Sequence, residues 1–303
     1  MGLFISALLL LFGASIPSLP IASEPMYLSA SGIRAERALP GADALPPTKT
    51  DILSLGPQIS AHSAIVVDAS SGAVLFDKQS YERRPIASIT KLMTALVFLE
   101  RAPDLTNRVL MTDEDEREGG NQHIRPGESA TLRSYLRASL VGSANNATVV
   151  LSRSTDLTSE EFVARMNEKA REFGMRDTVF IEPTGLSPEN TSTARDLVRF
   201  LDAASHNETI REISGTYRMS IVVYPTGAVR YVDNTNHLIG SIISIIAGKT
   251  GYLDESLYNL ASAVSLSNNR EIYVIVLGAE SDEDRVQDTK DLAVWAESTY
   301  AWE

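Results

Sequence analysis

The chain has 303 residues, a formal net charge of −12 and no cysteine; apolar residues make up 44% of it and charged residues 22%. That composition supports one large or two modest globular domains with a sizeable core. The acidic balance argues against broad binding to nucleic acid or an anionic membrane surface, zero cysteine excludes disulfides, thiolate nucleophiles and Cys-ligated metals, and four histidines make a His-rich metal cage unexpected.

Residues 3–16 read LFISALLLLFGASI, an uncharged apolar run followed by Pro17, Pro20 and the small residues Ala22 and Ser23. An apolar stretch of roughly 7–15 residues ahead of small residues is the pattern of a secretory signal peptide. No Lys or Arg precedes it, so residues 1–22 are read as a signal peptide or an N-terminal anchor. Residues 23–58 carry Pro25, Pro40, Pro46, Pro47 and Pro57 with little periodicity, and are expected to be a flexible linker. The folded unit is then expected over residues 59–303.

Residues 63–69 and 73–78 are β-rich runs joined by Ser70-Ser71-Gly72, which predicts a hairpin. Residues 88–99 follow Pro85 and predict a buried helix through Leu92, Met93, Leu96, Val97 and Leu99. Two further helices are predicted over 131–140 and 146–151, flanking the small-residue turn 142–145. Helices are also predicted over 160–173, 194–204 and 208–213. Strand-like segments follow at 217–223, 229–232, 242–248, 258–264 and 271–278, and residues 284–300 close the chain as a helix. Strands at both ends with a helical block between them predict an α+β fold. In it the first and last strands share one antiparallel sheet and helices cover its faces.

Three short motifs carry candidate chemistry. Ser88-Ile89-Thr90-Lys91 puts a hydroxyl and an amine on one face of a helix opening, an i,i+3 spacing within mutual reach. A serine is a poor nucleophile until a base takes its proton, a neutral lysine can do so, and the helix N-terminus offers free N–H groups to an oxyanion. Ser143-Ala144-Asn145 lies in the inter-helix turn, where a second hydroxyl and a carboxamide suit proton relay and amide recognition. Lys249-Thr250-Gly251 ends the apolar strand 242–248, where a cation and a hydroxyl could hold a carboxylate and glycines would let a ligand backbone approach. Each motif alone reads as ordinary capping or turn chemistry. Their order and contexts together are far more specific.

In these motifs, and in the flanking SITKLM, EPTGL, STARDL and GKTGY, the chain resembles the low-molecular-mass penicillin-binding proteins, the serine D-alanyl-D-alanine peptidases. The segment 234–238, NTNHL, is similar to their D,D-endopeptidase branch. The resemblance spans roughly residues 59–300. It implies a β-lactamase/transpeptidase-like fold: a sheet of about five strands plus an all-helical lobe, roughly residues 90–215, inserted in the sheet lobe. It also implies an acyl-enzyme route. Ser88 attacks a D-Ala carbonyl. Lys91, made neutral by burial and by the cation Lys249, accepts its proton. Ser143 passes the proton to the leaving amine. Asn145 holds the substrate amide, and Lys249 and Thr250, with Gly251 alongside, bind the terminal carboxylate. The N–H groups of Ser88 and Tyr252 form the oxyanion hole. No metal or organic cofactor is implied.

The implied partners are peptidoglycan stem peptides and β-lactams that acylate the serine. A monomer with at most a weak N-terminal membrane association is expected, exported to the periplasm, the cell wall or the extracellular space. Two alternatives are a β-lactamase of the same fold and a non-catalytic penicillin-binding wall protein. Against the first, Glu182 is followed by Pro183-Thr184-Gly185, without the Asn of a deacylating Glu-x-x-Asn. Between carboxypeptidase and endopeptidase, the NTNHL segment and an acidic rather than basic C-terminal helix favour the endopeptidase. Residues 113–118 (DEDERE) are read as a charged surface loop, Tyr81-Glu82-Arg83-Arg84 as a solvated stretch bordering the cleft, and His123 as a solvent-exposed or capping residue.

Overall fold

The computed structural model describes residues 39–40, 44–267 and 269–303. The apolar run and the first part of the linker lie outside the described residues, and so does the signal-peptide or anchor reading. Among the described residues no helix is long and apolar enough to cross a membrane.

In chain order, β1 (Thr48–Lys49) lies antiparallel to the C-terminal pair Tyr300–Ala301. β2 (Ser63–Asp68) and β3 (Val74–Lys78) form the predicted hairpin. Asp68 shapes its turn, accepting from Ser71 N and from the hydroxyls of Ser70 and Ser71. β4 (Arg84–Pro85) leads into a 3-10 turn, Ala87–Ile89, and α1 (Thr90–Glu100). β5 (Arg108–Leu110) and β6 (Ser129–Thr131) pair across the acidic run. α2 (Leu132–Leu140), α3 (Asn145–Arg153) and α4 (Ser159–Glu172) follow. β7 (Thr191–Ser192) pairs with β4, and α5 (Ala194–Ser205) and α6 (Glu208–Ser214) complete the helical block. β8 (Arg218–Val223) and β9 (Ala228–Asp233) make a separate two-stranded hairpin. β10 (Ser244–Leu253), β11 (Leu257–Ser265), β12 (Glu271–Ala279), α7 (Asp282–Thr299) and β13 (Tyr300–Ala301) end the chain.

The helices begin where the sequence supplies a cap. Thr131, Thr158, Thr193, Asn207 and Ser281 each accept from the backbone N–H three residues on, satisfying a donor the helix cannot. At α4, Glu161 reaches back to Thr158 N and completes a capping box.

The main sheet has five strands in the order β10-β11-β12-β2-β3, all antiparallel, so the first strands and the last meet at the β12–β2 pair. Its central strands read as continuous apolar runs because both faces are covered. Ile65, Val67, Tyr273, Ile275 and Leu277 point into one core with α1 and α5, while Ala64, Val66, Ile272, Val274 and Val276 point into a second core beneath α7. Leu292, Ala293 and Ala296 of α7 are buried in that second core. The helix is acidic on its outer side, but Asp288 turns inward and accepts from Ser60 N, Ala61 N and the Ser60 hydroxyl.

Three expectations need correction. The folded unit begins before Ile59: Thr50 N and Oγ1 both donate to Thr299 O, Trp295 Nε1 donates to Ser54 Oγ, and Lys49 stacks on Trp295, so residues 48–58 are held against α7 and β13 rather than hanging as a linker. Segments 217–223 and 229–232 pair only with each other and do not join the main sheet. Strand β10 runs on to Leu253, so Lys249-Thr250-Gly251 sits within an edge strand and not at its end, with Lys249 paired to Ala261 and Thr250 to Leu260. The edge position leaves one side of that motif without a strand partner.

Candidate active site

The three motifs converge where the 3-10 turn, the α2–α3 connection and β10 meet. Ser88 and Lys91 lie one turn apart, and Lys91 Nζ is 2.7 Å from Ser88 Oγ. Lys91 is fully buried and also reaches Asn145 Oδ1 at 2.7 Å and the Thr184 carbonyl at 2.5 Å. Burial pulls its pKa down to about 7, against an opposing pull from the carboxylate of Glu182. Lys249 and Lys91 repel one another, as expected, and the carboxylate of Glu182, which the motifs did not point to, opposes the drop.

Ser143 adopts a left-handed backbone, φ 59°, as does Ala87 next to Ser88 at φ 47°. Both are non-glycine residues in a sparsely populated region, and such strain clusters at functional sites. Lys249 Nζ donates to Ser143 Oγ at 2.9 Å and to the Thr250 carbonyl at 3.1 Å. Burial, and then the cations Lys91 and Arg285, hold the Lys249 ammonium well below the usual lysine range. The site therefore contains two Ser–Lys pairs, Ser88–Lys91 and Ser143–Lys249, each joined by a hydrogen-bond contact.

Asn145 is used differently from expectation. Its Oδ1 accepts from Lys91, and its Nδ2 donates to the carbonyls of Glu118 and Gly119, so both ends of the carboxamide are bonded within the protein. The acidic run is thus more than a surface loop. Asp115 is buried, capped by Thr112 and bridged by Arg153, and the backbone that follows it holds Asn145. Among the described residues, no acidic or histidine cluster of metal-binding form is present.

Close backbone packing sets the rest of the site. A β-carbon on Gly251 would lie 2.6 Å from Ile86 O and 3.2 Å from Ser88 N, so only glycine lets β10 approach the nucleophile's turn. Gly185, at φ 86°, is packed so that a β-carbon would lie 2.1 Å from Ala87 O. The Gly251 carbonyl accepts from Arg285 Nη1 of α7, and Thr250 Oγ1 is 2.6 Å from Thr235 Oγ1 in the NTNHL segment. Tyr252 is 47% exposed at the rim, stacks on Tyr258, and donates its hydroxyl to Asp254. That bond comes first among the causes that push its pKa up to about 12.

Several contributors were assigned no role in the site from the sequence: the Thr184 carbonyl and Glu182 of EPTGL, Thr235 of NTNHL, and Arg285. Glu182 accepts from Thr184 N, Thr184 Oγ1, Gly185 N, Ser187 N and Asn190 Nδ2, so its oxygens are occupied in folding its own loop. His123 is half-buried, not solvent-exposed: its ring packs against Gly142, where a β-carbon would lie 2.4 Å from Nε2, and burial lowers its pKa. Arg84 is only 13% exposed, pairs with Glu82 and lies under Gly278.

Residues 50–281 match a family model described as D-alanyl-D-alanine carboxypeptidase. The chain is 33% identical to a D-alanyl-D-alanine endopeptidase of Pseudomonas aeruginosa over 258 residues, covering 84% of this chain and 83% of that protein. It is 32% identical to the D-alanyl-D-alanine carboxypeptidase DacF of Bacillus subtilis over 246 residues, 79% of this chain but only 63% of the length of DacF. Among solved structures, a Streptomyces DD-transpeptidase superposes with a TM-score of 0.76 at 25% identity, covering 80% of this chain and 99% of that one.

Proposed function

The chain belongs to the serine D-alanyl-D-alanine carboxypeptidase family, and we propose that it hydrolyses D-Ala bonds of peptidoglycan stem peptides through an acyl-enzyme on Ser88. The observation that carries this reading is the environment of Lys91 Nζ. A neutral amine has two N–H donors and one lone pair. With the two donors given to Thr184 O and Asn145 Oδ1, the lone pair is left for the Ser88 hydroxyl 2.7 Å away. Ser88 Oγ then attacks the D-Ala carbonyl as its proton moves to Lys91. The tetrahedral oxyanion is received by the N–H groups of Ser88 and Tyr252. Lys91 hands that proton to Ser143, hydrogen-bonded to Lys249, as Ser143 gives its own to the departing amine; the C–N bond breaks, the ester on Ser88 forms, and Lys91 is neutral again. Lys91 then takes a proton from the attacking water and returns it to Ser88 Oγ as the ester C–O bond breaks, which releases the acyl group as a carboxylic acid. Lys249 and Thr250 bind the carboxylate of the leaving D-Ala, whose charge draws a proton onto Lys249. In this reading Asn145 orients Lys91.

The same serine takes β-lactams, whose ring opens to an ester. The occupied carboxylate of Glu182 supports slow release of that ester, because it has no position left from which to activate a water. Cross-link cleavage is the preferred activity, supported by the NTNHL segment at Thr250 and by the match to most of the Pseudomonas endopeptidase. The enzyme then works where its polymer lies, outside the cytoplasmic membrane, and as a monomer. Product analysis on a D-Ala-D-Ala pentapeptide and on a cross-linked muropeptide dimer tests this. Dimer converted to monomers faster than D-Ala is released supports the endopeptidase, and D-Ala release alone makes it a carboxypeptidase.

A further inference from the structure

Glu182 takes no direct part in the steps above, yet it organises the loop on which Lys91 depends. Its Oε2 accepts from Thr184 N and Thr184 Oγ1, both at 2.6 Å. Its Oε1 accepts from Gly185 N at 2.6 Å, Ser187 N at 3.3 Å and Asn190 Nδ2 at 2.9 Å. Five donors converging on one carboxylate fix residues 182–187 as a tight cap. The cap is fastened to one face of α1 at two points, Thr94 Oγ1 donating to Pro183 O and Lys91 to Thr184 O, and Asn190, which holds Glu182, also donates from Nδ2 to Thr90 Oγ1. Gly185 seats it on Ala87, beside the nucleophile.

We infer that Glu182 is the positioning residue of the general base: its carboxylate folds the cap so that the Thr184 carbonyl takes one Lys91 N–H and aims the remaining lone pair at Ser88. This rests on the reading of Lys91 as that base. A carboxamide could not replace the carboxylate, because its NH2 would point a sixth donor at donors already in place. A hydrophobic residue would take the acceptor away from Thr184 N, Thr184 Oγ1, Gly185 N and Ser187 N. The negative charge has a second effect. Lys91 is faced by Glu182 from this loop and by Lys249 from β10, with Arg285 of α7 behind Lys249, so Glu182 is the anion that opposes the fall in the Lys91 pKa. Position and charge together keep the amine both aimed and basic.

The test is acylation by a fluorescent penicillin from pH 5 to 9, on the full chain, resolved into a binding constant and a first-order rate. For Glu182→Gln the plateau rate should fall at least tenfold with the binding constant within twofold, and the acid limb should move to lower pH. Glu182→Asp, which keeps the charge but draws it back by a methylene, should show the same changes to a smaller extent, and it decides the matter if Glu182→Gln does not fold. A folded variant with the wild-type plateau and limb overturns the inference. So does a fall in melting temperature and plateau with the limb unmoved, which is what a merely structural residue would give. Lys91→Ala, run alongside, separates the two readings: if it still acylates at the wild-type rate, the base assignment fails irrespective of Glu182.

Discussion

If Lys91 is the base, the reaction should be controlled by its protonation. Burial brings its pKa from the usual lysine value of 10.5 to about 7, a differential of roughly 5 kcal/mol between the charged and neutral forms. A base with its pKa lowered to that value is about 1% neutral at pH 5, about 10% at pH 6 and about 90% at pH 8. The first-order acylation rate should therefore rise about ninetyfold between pH 5 and pH 8, with unit slope below pH 7 and a plateau above it. Lys91→Arg keeps a cation but cannot deprotonate, and should lose about 10²–10⁴-fold at every pH with no acid limb left. Stopped-flow labelling with a fluorescent penicillin reads both. A wild-type profile flat from pH 5 to 8, or a Lys91→Arg variant within tenfold of wild type, would refute the reasoning.

Other outcomes follow from the same geometry. Lys249→Ala should slow peptides with a free C-terminal carboxylate far more than their amidated analogues, and an equal loss on both would remove the carboxylate-binding role. Gly185→Ala forces a side chain against Ala87 O at positive φ; urea unfolding should show a loss of at least about 2 kcal/mol, and acylation should fall as the 182–187 loop lifts. At Asp115, burial pushes the carboxyl up, but Arg153 and Thr112 overcome it and hold its pKa below the usual range. That stabilisation is present above about pH 4 and fades as pH falls through the lowered value. Asp115→Asn should cost about 2 kcal/mol near neutrality, discounted because the Arg153 partner is 39% exposed, with the difference from wild type shrinking in acid.

The hairpin, the buried helix after Pro85 and the helical block were legible because each rests on local periodicity and caps. The meeting of first and last strands was legible because the apolar runs stood at both ends of the chain. What failed to show depended on long-range pairing. Residues 48–58 look like a linker because their order comes from a two-residue ladder and a Trp295 bond almost the length of the chain away, not from any periodicity of their own. β10 was cut short because the apolar run stops at Gly248, whereas Gly248 and Gly251, read as room for a ligand backbone, mark close approaches to the chain's own backbone within a continuing strand. The side chains of the site were visible as motifs. The backbone groups that aim them were not, since a carbonyl such as that of Thr184 has no sequence signature. The one available hint was Glu182 two residues ahead of Thr184 and three ahead of Gly185, a carboxylate placed to close its own turn.

The central claim is that Ser88 is the nucleophile. Intact-mass measurement after incubation with benzylpenicillin tests it most directly. The wild-type chain should gain one penicilloyl group, mapped by digestion to the peptide containing Ser88, and Ser88→Ala should gain none. A Ser88→Ala chain that still carries the adduct, or an adduct mapped to Ser143, would contradict the account.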